Sequence, residues 1–118
     1  MIDYKEFGSE YLEQIKSIYE AEQWCAYLRD DDKLKRAFDK SLYLLGAFDG
    51  DKLVGFIRCV GDGEHILLVQ DLIVAPSYQK RGIGSKLFRM VWEKYAAVRM
   101  FHVVTDINDK LDNHFYQS

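Results

Sequence analysis

Asp71-Leu72-Ile73-Val74-Ala75-Pro76-Ser77-Tyr78-Gln79-Lys80-Arg81-Gly82-Ile83-Gly84-Ser85-Lys86-Leu87 changes structural period in mid-stretch. Up to Val74 it is a run of β-favouring apolar residues. After Pro76, Ile83, Leu87, Val91 and Tyr95 recur four apart, with Phe88 and Trp92 broadening the face, as in an amphipathic helix docked on a sheet. Between the two lies a strand-to-helix turn. The first backbone N–H groups of a helix have no intrahelical acceptor, and the helix dipole adds partial positive charge there, so such a turn suits a phosphate or pyrophosphate. Gly82 and Gly84 let an anion approach the backbone, and Lys80 and Arg81 add full charges. A Walker A loop is excluded, because Gly84 is followed by Ser85 before Lys86. A dinucleotide fingerprint would need a small residue where Leu87 stands. Two glycines alone would more often only shape the turn.

Working outward, Met100 to Thr105 reads as a buried strand and His65 to Val74 as a longer one, in which Ile66-Leu67-Leu68-Val69 has the composition of a segment buried on both faces. Strand, helix and strand in succession imply a crossover between parallel neighbours. Leu42 to Phe48 and Lys52 to Val60 are β-rich runs joined by Asp49-Gly50-Asp51, a hairpin signal. Residues 2–7 form a short first strand, and residues 9–22 a helix with Ser9 as N-cap. A second helix runs from about Asp32 to Lys40. The expected fold is α/β: a mixed, mostly antiparallel sheet containing one parallel pair, flanked by helices, in a single domain over residues 1–118.

The composition narrows the function. A net charge of −3 with intermixed signs argues against a nucleic-acid surface. Asp30, Asp31 and Asp32, followed at once by Lys33, Lys35 and Arg36, read as a solvated helix start and not as a metal site. No metal is expected. Cys25 and Cys59 lack metal-ligand spacing and read as reduced thiols. Charges at Asp3, Lys5 and Glu6 speak against a signal peptide, and no apolar run reaches membrane-spanning length, so a cytoplasmic location is expected.

The string Gln79-Lys80-Arg81-Gly82-Ile83-Gly84 resembles the signature of the GNAT acetyltransferase superfamily: Gln or Arg, two residues, Gly, one residue, Gly or Ala. The preceding Leu72-Ile73-Val74-Ala75-Pro76 and the earlier Leu53-Val54-Gly55-Phe56 are similar to the strands that accompany it. The resemblance covers residues 40–116 well and the first 40 loosely. It implies a V-shaped opening between splayed parallel strands 65–74 and 100–105, which takes the pantetheine arm of acetyl-CoA. Backbone groups of Ile73 and Val74 would bind that arm. The N–H groups of Gln79, Lys80, Arg81, Gly82, Ile83, Gly84 and Ser85 would cradle the pyrophosphate, and Asn108 would lie near the cosubstrate.

The implied activity is acetyl transfer from acetyl-CoA to a primary amine of a small molecule or peptide by direct attack. The alternative is an acyl-CoA-binding module with little turnover. Asn113-His114-Phe115-Tyr116 is similar to the family segment that carries a tyrosine acid, making Tyr116 the candidate donor to the departing thiolate. A backbone N–H near Ile73 would meet the oxyanion. A glutamate that some relatives use as base corresponds to Leu68, which leaves Asp71 and His65 as candidates acting through water. His102 and His114 read as structural. Trp24, Tyr27 and Arg29 are candidate acceptor-lining residues. The chain ends at Gln117-Ser118, where the resemblance leads one to expect two further strands. Without them the last parallel strand is an open edge, which a second copy of the chain could cover as a homodimer.

Overall fold

The computed structural model of the chain describes residues 1–103. The element order follows the sequence pattern: β1 (Ile2–Glu6), α1 (Leu12–Ala21), α2 (Asp31–Asp39), β2 (Tyr43–Asp49), β3 (Lys52–Gly61), β4 (Ile66–Val74), α3 (Ile83–Lys94) and β5 (Met100–Val103). Short 3₁₀ turns at Ser9–Tyr11, Cys25–Leu28 and Pro76–Tyr78 precede α1, α2 and α3. The strands form one sheet in the order β1-β2-β3-β4-β5. Every pair is antiparallel except β4 with β5, which run parallel from Ile66↔Met100 to Val69↔Val103.

Helices cover both faces. On one, α3 lays Ile83, Leu87 and Val91 against Leu45, Val54, Ile57, Leu67, Val69, Leu72 and Val74. On the other, α1 and α2 bring Ile15, Ile18, Tyr19, Leu34 and Phe38 onto Phe48, Phe56 and Ile73. The second core is aromatic: the Phe56 ring sits 5.6–5.7 Å from those of Phe7, Tyr19 and Phe38, at edge-on angles that suit ring quadrupoles.

The expected hairpin forms, with Gly50 at φ +64° supplying the left-handed turn residue. Asp30 caps α2 by accepting from the Lys33 N–H at 3.1 Å, as a solvated helix start should. Ser9 does not cap a helix, because its hydroxyl donates to Asp39 Oδ1 on α2. The start of β4 is not buried on both faces either: Ile66 is 40 % exposed, since the α1–α2 layer reaches only the later residues of that strand. Within the described residues, β5 is an edge strand with none of its four residues fully buried, and His102 on it is exposed.

One irregularity matters for the site. Gly61↔Leu67 through Cys59↔Val69 pair in one register of β3 on β4, and Arg58↔Asp71 through Gly55↔Val74 in the next. Gln70 is the extra residue, a β-bulge in β4. It falls where the described pairing with β5 stops, after Val69, so, among the described residues, 70–74 pair with β3 alone.

Candidate functional site

The turn that leaves β4 is shaped by two left-handed residues, Lys80 at φ +65° and Gly82 at φ +81°. Alternation of right- and left-handed residues turns successive N–H groups to one side and makes a concavity for an anion. Gly82 is the N-cap of α3 and has no side chain to fill it; the first turn of α3 carries no acidic residue. A Cβ on Gly82 would meet nothing within 4 Å, so the backbone angle, not crowding, is what calls for glycine. The Lys86 N–H closes the first helical bond on the Gly82 carbonyl at 3.0 Å, while the N–H groups from Lys80 to Ser85 have no backbone acceptor among the described residues. The Gln79 N–H faces the Pro76 carbonyl at 3.4 Å.

The side chains around the turn hold it in place. Gln79 Nε2 donates to the Val74 carbonyl at 2.8 Å and to Glu22 Oε1 at 2.6 Å, tying the end of β4 to the end of α1. The Arg81 guanidinium lies 5.1 Å from the Tyr78 ring centre, and the Tyr78 hydroxyl donates to Asp49 Oδ2 at 2.6 Å. Gln79 is therefore a brace, and Lys80 and Arg81 are the exposed cations within the turn.

The edge of β4 continues this donor set. The Ala75 N–H donates to the Val54 carbonyl at 2.8 Å, so residue 75 turns its backbone toward β3. Antiparallel ladders alternate, and the register is regular here, so Ile73 also turns its backbone to β3 while Leu72 and Val74 present theirs to the open side. Of the two strand residues expected to offer backbone groups, Val74 turns its N–H away from β3 while its carbonyl accepts from Gln79 Nε2. Ile73 has its own engaged by β3, and its side chain is buried under α1 and α2. Leu72 takes the place beside Val74.

Asp71, the candidate base, is 1 % exposed and surrounded by donors. Arg58 Nε donates to Oδ2 at 2.6 Å, the Tyr19 hydroxyl to Oδ2 at 3.1 Å and the Tyr27 hydroxyl to Oδ1 at 2.9 Å. It has no surface through which a water could relay a proton, so the structure places it as a buried anchor and not as an open base. Burial, then the Asp71 charge, raise the pKa of both tyrosines, so both stay protonated at neutral pH. Arg58 also donates to Ser41 Oγ at 3.3 Å and lies 5.4 Å from the Phe38 ring centre. His65 precedes β4 at the end away from the glycine turn, roughly 23 Å from Leu72 at about 3.3 Å per residue. Cys59, buried in the α3-side core, has its thiol pushed up to about 12 by burial and is no nucleophile.

The sequence matches the Acetyltransferase (GNAT) family over residues 9–118. The chain belongs to the GNAT acetyltransferase family. A GNAT-family acetyltransferase from Streptococcus pneumoniae TIGR4 is 35 % identical and superimposes with a TM-score of 0.81, over 99 % of this chain and 85 % of that one. The PaiA N-acetyltransferase of Thermoplasma acidophilum, solved in complex with coenzyme A, shares the fold at 18 % identity with a TM-score of 0.76, over 99 % of this chain and 87 % of that one. A ycf52-like N-acetyltransferase from Prochlorococcus marinus is 35 % identical over 63 residues, a stretch that is 50 % of this chain but only 35 % of that protein.

In this GNAT chain the glycine turn follows directly on the β4 residues that pair, among the described residues, with β3 alone, whereas Asn108 and Tyr116 lie outside the described residues. Trp24 and Tyr27 are half-buried and stack with Tyr19 at ring distances of 5.8 and 4.5 Å, while Arg29 is exposed. Three features escaped the sequence reading: the Gln79 brace, the Arg58 partner of Asp71, and the outward-facing backbone of Leu72. The signal for Arg58 was present, since a cation in the apolar run Gly55-Phe56-Ile57-Arg58-Cys59 needs a buried anion.

Proposed function

We propose that this chain binds acetyl-CoA along the open edge of β4 and at the turn into α3, and transfers the acetyl group to a primary amine. The observation that carries this is the continuity of two donor sets with no acceptor among the described residues: the N–H groups of Leu72 and Val74 on the side of β4 away from β3, and the N–H groups from Lys80 to Ser85 at the helix start. Such a line of donors fits a linear amide chain ending in a pyrophosphate. Val74 and Leu72 hold the pantetheine arm, with Ile73 packing beneath the strand. Lys80, Arg81, Gly82, Ile83, Gly84 and Ser85 receive the pyrophosphate, Gln79 braces the turn, and Asn108 contributes beyond β5. That a fold relative was solved with coenzyme A supports the same reading.

In the transfer, the amine lone pair forms the new C–N bond and the C–S electron pair leaves on sulfur. One proton passes from the nitrogen to solvent, and one is given to the thiolate by an acid that solvent then reprotonates. The Leu72 N–H is placed to meet the developing oxyanion, since it faces the edge just after the bulge. Tyr116 is the acid that protonates the thiolate. A second reading, a binding module with little turnover, is favoured by the burial of Asp71 among three donors, which leaves it poorly placed to act as a base.

Titration calorimetry of the whole chain with acetyl-CoA, beside Gly82→Glu, tests the donor site. Binding by the parent and at least about tenfold weaker binding by a folded variant is the expected result. Absence of binding by the folded parent would overturn the assignment. Thiol release from acetyl-CoA on addition of amines then separates transferase from binding module.

A further inference from the structure

The proposed donor site leaves one question of geometry, which is the face of β4 from which an amine reaches the thioester. On the α3 face, the side chains of Leu72 and Val74 are packed against Ile83, Leu87 and Val91. On the other face, the residue next to Leu72 is Asp71, and over Asp71 stands Tyr27, half-buried on the segment between α1 and α2. Its hydroxyl is one half-buried end of a polar chain running Tyr27, Asp71, Arg58, Ser41.

The orientation of that hydroxyl is fixed. A phenol has one proton and two lone pairs. The proton is committed to Asp71 Oδ1 at 2.9 Å, which leaves the oxygen its lone pairs as an acceptor. Tyr19, whose ring stacks on Tyr27 at 4.5 Å, also donates to Asp71 but is wholly buried. The two tyrosines thus donate to the same carboxylate, and of the two only Tyr27 is not wholly buried.

We infer that Tyr27 is the acceptor-binding residue of this enzyme: its oxygen accepts an N–H from the incoming amine and aims the nitrogen lone pair at the acetyl carbonyl, with Asp71 as the positioning residue that keeps the phenol proton turned away. This rests on the acetyl-CoA reading of the edge. It also gives Asp71 a part in the reaction without contact with water or substrate. The site selects a nitrogen that keeps an N–H to donate while its lone pair is free, hence a primary or secondary amine in its neutral form.

The test uses the full chain, acetyl-CoA as donor, and spermidine, kanamycin and lysine ethyl ester as amine probes. Calorimetry gives acetyl-CoA affinity and thiol release gives the amine-dependent rate. Tyr27→Phe keeps the stacked ring and removes the oxygen; Tyr19→Phe removes the matching bond to Asp71 from the buried side. The expected result is a loss of about tenfold or more in kcat/KM for the amine with Tyr27→Phe, at an acetyl-CoA affinity within about twofold of the parent. Tyr19→Phe lowers thermal stability and leaves the amine rate near that of the parent. Equal losses in the two variants, or none with Tyr27→Phe, would overturn the inference. So would a parent that binds acetyl-CoA yet releases no thiol with any of the three amines, a result that leaves the donor site standing. A folded parent that fails to bind acetyl-CoA removes the donor site and this inference with it.

Discussion

The two ends of β4 present backbone N–H groups to an anion in opposite ways. At the entry, the N–H groups of Glu64, His65 and Ile66 converge on Asp62 Oδ1 at 2.9, 2.8 and 3.0 Å. These three bonds hold the Asp62 carboxyl down at about 2. At the exit, the N–H groups of the Gly82 turn converge where neither an acidic residue of the first turn nor a capping side chain stands. The entry brings its own anion. The exit is built with the same donors and omits it. The nest at Gly82, flanked by Lys80 and Arg81, is the one proposed to take an external anion; the filled nest at Asp62 is a strand-starting device.

Between the ends, β4 holds a third anion, Asp71, satisfied by side chains. Here the largest effect is expected. Arg58→Met removes the cation and strands a buried carboxylate, which costs on the order of 3–5 kcal/mol. The double change Arg58→Met with Asp71→Leu should recover most of that loss, because neither charge is then left unpaired. Urea unfolding of both variants checks this, and a double change no better than the single one would show that the pair sets the bulge register and does more than neutralise itself.

Next in size is the conversion of the exit into a copy of the entry. Gly82→Glu supplies an anion to the empty nest, so acetyl-CoA affinity should fall by at least about tenfold. Gly82→Ala separates charge from strain. At φ +81° any Cβ costs about 1–2 kcal/mol of stability, while the alanine carries no charge and should retain most of the affinity. Similar affinity losses in the alanine and glutamate variants would mean that backbone shape alone governs binding.

How much of this was legible in the sequence follows the same division. The exit turn works through the backbone, and a backbone motif is written in glycine spacing, so Gln79 to Gly84 announced the fold. The Asp71 site works through side chains brought together across strands, and there the register decides. Counting back from the β3–β4 turn, where Gly61 faces Leu67, leads Arg58 to Gln70. The bulge slips the partner by one residue to Asp71, and no local residue type signals a bulge at Gln70. The same slip gives Leu72, in place of Ile73, the outward backbone. Tyr27 was read as a lining aromatic, but its partner is distant in sequence, and only the packing of the 25–28 turn over β4 reveals it.

Smaller is the effect of Lys80→Gly. Lys80 holds a left-handed conformation at φ +65°, so glycine relieves strain that offsets its greater freedom in the unfolded chain. Stability should stay within about 1 kcal/mol of the parent, while acetyl-CoA affinity drops a few-fold and loses part of its salt dependence. A variant with unchanged salt dependence would assign the charge role to Arg81 alone.

The smallest effect comes from emptying the entry nest, and its signature is a pH window. The Asp62 carboxyl is held below its ordinary value in the folded chain by the three N–H donors, so its ionised form is favoured by folding. A depressed acid contributes stability that is whole above the unfolded value, near 3.9, and is lost as pH falls toward the folded value of about 2. Asp62→Ala should therefore melt below the parent at neutral pH, by a margin that is constant down to about pH 4 and then closes between about 4 and 2. Because Asp62 is fully exposed, the margin should be small. Thermal melts of both chains across that range measure it. A margin that persists unchanged at pH 2 would mean that the side chain supports the turn by its shape. The entry nest would then not be holding an anion at all, and the contrast with the empty nest at Gly82 would lose its basis.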